Sequence, residues 1–325
     1  MKIICTYNRN FKSYIFEILT CFNCKVIKEF NETTSIVNID NNFSDFYKKI
    51  ISNKTIFLHH IQPINFEFYI TDNFIEDIEN IVVKNIDDFF DKNKTYSIQI
   101  RTINCKFSKC DIISNIEKRI ELRKNDKNPE QVISIFIYKN KCFVGFSETR
   151  LNLSKWNGGE VRYNYRDCIS RAEFKLMELL DFISIEKYNY KTALDLGCAP
   201  GGWSRVLLDR NLKVTGVDPA EVDKKLLINK NFTHYKMLSE DFKRLNNNNF
   251  DIIVNDMKIN YKNSIKIVKS FLKNLNKNGI VVMTIKLFKS EDIKEAVNIV
   301  KDNFQNIVLI KQLYHNRNEF TVVLK

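Results

Sequence analysis

Apolar and polar positions along this chain change period several times, and each change predicts an element. In the C-terminal half, short apolar runs end in a polar residue. Ala193, Leu194 and Leu196 surround Asp195, LKVTGVDP closes on Asp218, and MLSEDF places Asp241 after a third short strand. FDIIVNDM then closes on Asp256 and GIVVMTIK on Lys286. Apolar runs of this length bounded by turns predict buried strands. The helix-like WSRVLLD follows the first of them, so this half is expected to be α/β, with a Rossmann-like sheet. In the N-terminal half, MKIICTY, NFKSYIFEILT, CKVIKEF, TTSIVNI, FSDFYKKII and TIFLHHIQPINFEFYI read βαββαβ, a ferredoxin-like subdomain. A second α+β unit follows: helical FIEDIENIVVKNIDDFF, strand TYSIQIR, helix DIISNIEKRIELR, and strands QVISIFIY and KCFVGFS. The expected boundaries are 1–72, 73–150, a linker over 151–169 carrying the Asn157-Gly158-Gly159 turn signal, and 170–325.

The stretch LDLGCAPGGWS (Leu194 to Ser204) carries the most chemistry. Glycine lacks Cβ and tolerates φ > 0, so a strand ending in Gly197, Cys198, Ala199, Pro200, Gly201 and Gly202 lets backbone approach a ligand. The following helix N-terminus presents free N–H groups to it. Asp218 lies at the distance along the chain that suits ribose hydroxyls of an adenosine cofactor. Asp241 and Asp256 also fall at strand ends, where ligands bind in open α/β sheets. A single such Asp is as often a helix cap; as a group they point to a site. The loop lacks the G-x-G-x-x-G spacing of dinucleotide folds and the chain has no P-loop. Pro200, expected to open the helix, removes an N–H that a pyrophosphate would use.

These residues, with the VDP and NDM steps, TIKL (Thr284 to Leu287) and RNEFTVV, resemble the FtsJ-type ribose 2′-O-methyltransferases, over roughly Ser170 to Lys325. The resemblance implies S-adenosyl-L-methionine as cofactor and a Lys-Asp-Lys-Glu tetrad falling on Lys175, Asp256, Lys286 and Glu319. It also implies cofactor-binding positions at Ser170, Gly197, Pro200, Gly201, Gly202, Trp203, Asp218, Asp241 and Asp256. KQLYHNRNEFTVVLK is similar to one branch, the bacterial enzymes that methylate a cytidine ribose of 23S rRNA and carry a THUMP domain ahead of the catalytic domain. Asn318 stands where that branch has a second acid, and Cys198-Ala199 reverses its order. The order of elements over 73–150 resembles THUMP, a domain that grips structured RNA. The implied partner is RNA, 23S rRNA ahead of tRNA. From another class, a non-catalytic RNA-binding assembly factor would not need all four tetrad positions. A base methyltransferase is disfavoured, because NDMKIN replaces the N/D-P-P-Y-like turn of amine methylation.

A ribose hydroxyl must lose its proton as the methyl group arrives, and alignment of the reacting atoms is worth about 7–11 kcal/mol. Lys286 fits two roles: accepting that proton when neutral, or only aiming the hydroxyl's lone pair while water takes the proton later. Glu319 would hold Lys175 or the ribose. The net charge of +12 over 325 residues draws polyanions, with 26 basic against 18 acidic residues in 170–325. Abundant Lys, Asn and Ile throughout the chain weaken that inference to mild support for RNA. Eight scattered cysteines, with one C-x-x-C at Cys21 and Cys24 and a wider Cys105–Cys110 pair, and four histidines predict no metal site and free thiols. The hydrophobic fraction is 44% and the N-terminus has no leader pattern, so a folded cytoplasmic protein with no membrane partner is expected. Oligomeric state is not legible.

Overall fold

The computed structural model describes residues 1–104, 108–163, 166–288 and 293–325. Cys105, and Asn164 and Tyr165 of the expected linker, lie outside them. The chain divides into two units, one of residues 1–53 with 57–160, the other of residues 54–56 with 161–325.

The first unit begins with β1 (Lys2–Tyr7), α1 (Lys12–Cys21), β2 (Lys25–Asn31), β3 (Thr34–Asn38) and α2 (Phe43–Ser52). The short strand β4 (Thr55–Ile56) belongs to the other unit, and β5 (Leu58–Pro63) completes an antiparallel sheet of order β2-β3-β1-β5. That is the order a βαββαβ chain gives when each crossover skips a place. Then come β6 (Phe66–Tyr69), α3 (Phe74–Phe89), β7 (Tyr96–Ile103), α4 (Lys109–Glu117), β8 (Gln131–Tyr138) and β9 (Lys141–Glu148), forming a sheet of order β6-β9-β8-β7. Apolar residues spaced along α3 (Ile78, Val82, Ile86) and α4 (Ile112, Ile116) bury against Ile98, Ile133 and Ile135 of this sheet. Phe30 packs with Phe136 and Phe143, joining the two sheets. Asn42 and Ser108 cap α2 and α4 by accepting the N–H groups of Asp45 and Asp111.

TIFLHHIQPINFEFYI, read as one strand-like piece, is cut into three strands in three sheets. The cut after Pro63 coincides with a close approach of β9: Gly145 sits so near that a Cβ there would lie 2.0 Å from the Pro63 carbonyl oxygen. Asn65 then accepts the Phe146 N–H and turns the chain into the second sheet.

The second unit contains α5 (Ala172–Phe182), β10 (Thr192–Leu196), α6 (Gly202–Leu208), β11 (Lys213–Val217), α7 (Lys224–Leu227), β12 (Phe232–Tyr235) and α8 (Ser239–Leu245). It continues with β13 (Phe250–Asn255), α9 (Tyr261–Phe271), β14 (Leu275–Lys286), α10 (Ile293–Asn303), β15 (Ile307–Lys311) and β16 (Glu319–Leu324). Its sheet runs β12-β11-β10-β13-β14-β16-β15-β4. The first five strands are parallel and β16 inserts antiparallel between β14 and β15. The order reverses between β10 and β13, so a crevice opens at their carboxyl ends. Among the described residues no helix is long and apolar enough to cross a membrane.

Candidate active site

The turn after β10 is built by its glycines. Gly197 (φ 74°) and Gly201 (φ 117°) hold conformations that L side chains resist. A Cβ on Gly202 would come within 2.2 Å of Ser170 Oγ, so the α6 terminus and the segment before α5 meet without room for a side chain. Helix α6 starts at Gly202 with Gly201 as its cap. Pro200 therefore lies inside the turn, behind a cis Ala199–Pro200 peptide, and does not open the helix as its sequence position suggests. Asp218, one residue past β11, accepts the Ala199 N–H at 3.1 Å and the Ala220 N–H at 2.8 Å, tying the two loops together.

A cavity of about 770 Å³ lies at this end of the sheet; Gly197, Asp218, Leu238, Ser239, Asp256 and Met257 are among its lining residues. The other expected cofactor positions fall elsewhere. Trp203 is 3% exposed and donates its indole N–H to the Ala172 carbonyl, so it packs α6 on α5. Asp241 faces outward from α8 and pairs with Arg244 at 3.2 Å, while Leu238, Ser239 and Glu240 supply the lining there. Pro200, Gly201 and Gly202 shape the turn without lining the cavity. Ser170 Oγ is buried against Gly202 and has no hydrogen-bond partner among the described residues, leaving a hydroxyl available to a bound molecule.

Asp195, next to last in β10, is 1% exposed and accepts the Ser204 hydroxyl at 2.7 Å. Burial, with Asp256 and Asp218 adding to it, pushes its carboxyl up to about 7. The folded chain thus holds this proton where the unfolded chain has lost it. The stability the neutral acid contributes is full at acid pH and falls as pH rises towards 7, by up to ~1.4 kcal/mol per unit. Asp195→Asn mimics the neutral acid. Its melting temperature relative to wild type is expected to climb from pH 5 to pH 8, then level off, in differential scanning fluorimetry. A difference that stays flat with pH contradicts this assignment.

Beside the cavity, four residues distant in sequence close a ring of alternating charge. Lys175 of α5 donates to Asp256 Oδ1 and Oδ2 at 3.0 and 2.8 Å and to Glu319 Oε1 at 2.9 Å. Lys286, last residue of β14, donates to Asp256 Oδ1 and to Glu319 Oε2. The antiparallel register sets Lys286 directly opposite Glu319, so that pair is fixed by the sheet itself. Lys175 and Glu319 are each 8% exposed. Burial works to raise the Asp256 carboxyl, but the Lys175 and Lys286 ammoniums outweigh it and hold Asp256 below its ordinary range. Burial likewise works to lower Lys175, yet Asp256 and Glu319 outweigh it and keep Lys175 above its ordinary value. Lys175 is therefore a fixed cation.

Sequence reading missed the residues that support the ring. Thr284 donates its hydroxyl to Asp256 Oδ1 at 2.7 Å; standing two places before Lys286 on the same strand face, it was legible from alternation. Asn316 donates to Glu319 Oε1 at 3.3 Å while its own oxygen accepts from the Leu313 N–H and the Thr321 hydroxyl. No sequence pattern marks Asn316. The assembly can hold a hydroxyl against Lys286 beside a cavity large enough for a nucleoside-sized molecule, with charge already balanced inside.

Comparison with known proteins agrees with this architecture. Residues 168–324 match the family model of the FtsJ-like methyltransferase, and residues 73–146 that of the THUMP domain. An uncharacterized protein of Methanocaldococcus jannaschii is 30% identical over 166 residues, 48% of this chain and 46% of its own. The ribosomal RNA large subunit methyltransferase M of Yersinia enterocolitica is 26% identical over 219 residues, covering 63% of this chain and 59% of its own. This chain thus spans about half the length of the curated relatives it matches. The solved structure of TrmN from Thermus thermophilus aligns over 100% of this chain and 99% of its own, at 11% identity and a TM-score of 0.40. With the glycine turn and the sheet order in place, residues 168–324 are an FtsJ-like methyltransferase domain, and residues 73–146 a THUMP domain.

Proposed function

We propose that this chain is an S-adenosyl-L-methionine-dependent RNA ribose 2′-O-methyltransferase of the cytoplasm, whose substrate is a cytidine of 23S rRNA. The observation that carries the reading is the closed ring of Lys175, Asp256, Lys286 and Glu319 at the rim of a cavity bounded by the glycine turn. The cofactor supplies a methyl group on a sulfonium. Gly197, Asp218 and Asp256 line its cavity, and the free hydroxyl of Ser170 beside Gly202 suits a polar end of the same molecule. Pro200, Gly201 and Gly202 act by setting the turn, Trp203 by seating α6, and Asp241 from the neighbouring helix.

In this reading Lys286 takes the ribose hydroxyl as a hydrogen-bond partner and receives its proton as the carbon–oxygen bond forms and the carbon–sulfur bond breaks. Lys175, kept charged by Asp256 and Glu319, takes up part of the negative charge that would otherwise all face Lys286. Asp256 and Glu319 aim Lys286 from two sides, which is orientation of the kind that contributes most to such a displacement. The N-terminal domains grip structured RNA; the large-subunit rRNA methyltransferase name of the relatives and the THUMP match support rRNA as that RNA. Mass-spectrometric mapping of ribose methylation in rRNA and tRNA, from cells with and without this protein, tests the reading. Loss of one 2′-O-methylcytidine from 23S rRNA is expected. Unchanged rRNA with an altered tRNA would transfer the activity to tRNA, and no change in either would leave an RNA-binding assembly factor.

A further inference from the structure

Glu178 has no part in the ring, yet it lies on the element that carries Lys175. The two are three residues apart on α5 and so share a helix face. Lys175 reaches Asp256 and Glu319, while the Glu178 carboxylate accepts the backbone N–H groups of Tyr314 at 2.9 Å and His315 at 3.3 Å. Those amides belong to the loop between β15 and β16, the loop that delivers Glu319. From them a continuous set of bonds leads to the ring. Asn316, 3% exposed, accepts from the Leu313 N–H at 2.8 Å and the Thr321 hydroxyl at 3.2 Å, and donates to Glu319 Oε1 at 3.3 Å. Gln312 donates to the Asn316 carbonyl at 3.1 Å, and the Leu287 N–H, next to Lys286, donates to the Asn318 carbonyl at 2.8 Å.

We propose that Glu178 is a positioning residue for methyl transfer: by holding the 313–318 loop to the helix that bears Lys175, it sets, through Asn316, where Glu319 stands between the two lysines. A carboxylate is the group for this task, since two oxygens can accept two successive backbone N–H groups at charge-assisted strength, whereas an amide offers one acceptor and one donor. Burial pushes the Glu178 carboxyl up to about 7, while the two N–H groups and the ammonium of Lys311, itself 3% exposed and 4.5 Å from the Phe182 ring centroid, work to keep it ionised. Oriented groups tolerate little displacement, so an ångström of drift at Glu319 is felt in the rate before it is felt in binding.

The inference rests on the proposed methyl transfer, and the test separates the two. In full-length protein with in vitro transcribed 23S rRNA as substrate, Glu178→Gln is expected to lower kcat about tenfold. The dissociation constant for S-adenosyl-L-methionine and the KM for RNA should stay within twofold of wild type. Asn316→Ala should lower kcat similarly, and the double variant should be no slower than the slower single one, because both changes break one chain of contacts. A kcat at the wild-type level in Glu178→Gln, or losses that multiply in the double variant, overturns the inference. So does a rate loss matched by an equal loss of cofactor affinity and melting temperature. Lys286→Ala assayed alongside reads the underlying function: full turnover in that variant overturns the methyl-transfer chemistry itself, whereas a dead Lys286→Ala beside a fully active Glu178→Gln overturns only the role of Glu178.

Discussion

Lys286→Ala is expected to abolish methyl transfer, by at least about a thousandfold, and to leave cofactor affinity near that of wild type. The asymmetry follows from where the side chain ends. Its ammonium contacts Asp256 and Glu319, whereas the cavity wall at that point is made by Asp256 and Met257. In the proposed reaction, truncation removes the group that aims and relieves the hydroxyl, a general-base contribution of about 10²–10⁴ compounded by loss of orientation. Two carboxylates are then left facing Lys175 alone, so some stability is lost as well, and turnover is compared per folded molecule. Single-turnover transfer of a labelled methyl group, paired with calorimetric titration of the cofactor, checks both halves. A Lys286→Arg variant should not rescue the rate, since a guanidinium keeps its proton at any working pH. Substantial activity in either variant would remove Lys286 from the chemistry.

Asp256→Ala is expected to fail more broadly, losing activity, cofactor affinity and stability together. Asp256 receives bonds from Lys175, Lys286 and Thr284 and also lines the cavity. Without it two ammoniums face a single carboxylate, Glu319, in a site that excludes much of the solvent. Removing one partner from a buried ion pair costs about 3–5 kcal/mol, because the remaining charge is left uncompensated. For a domain of this size that corresponds to a melting temperature lower by on the order of 10 °C. The penalty should shrink as pH falls below the ordinary carboxylate range, since wild type there loses the stability that ionised Asp256 contributes, and the second substitution Lys175→Met should restore stability without restoring activity. A variant as stable as wild type at pH 7 would mean that the ring is not a closed electrostatic unit.

The strands that build the site were legible because each is a local decision. The apolar run ending at Leu196, the glycines after it, and the runs closing on Asp256 and Lys286 state both the element and the end at which polar groups emerge. Asp241 and Trp203 illustrate the limit. Both sit where the resemblance puts cofactor contacts, but a helix turns its residues through a full circle in under four positions. Which side chain meets the cavity is therefore decided by how α6 and α8 pack, and here Trp203 faces α5 and Asp241 faces Arg244.

What the sequence determined by itself was the order of elements, the glycine turn and the chemical types gathered for the site, since propensity, period and turn chemistry act over a few neighbouring residues. Tertiary structure alone decided that residues 55–69 would be divided among three sheets; at the cut after Pro63, Gly145 and Phe146 of a strand far along the chain meet Pro63 and Asn65. It alone decided, too, that Lys175 would lie within 2.9 Å of a carboxylate 144 residues away, and that Asn316 and Glu178 would brace that contact. Contacts of such separation depend on the packing of whole helices and the register of paired strands, which no short window of residues contains.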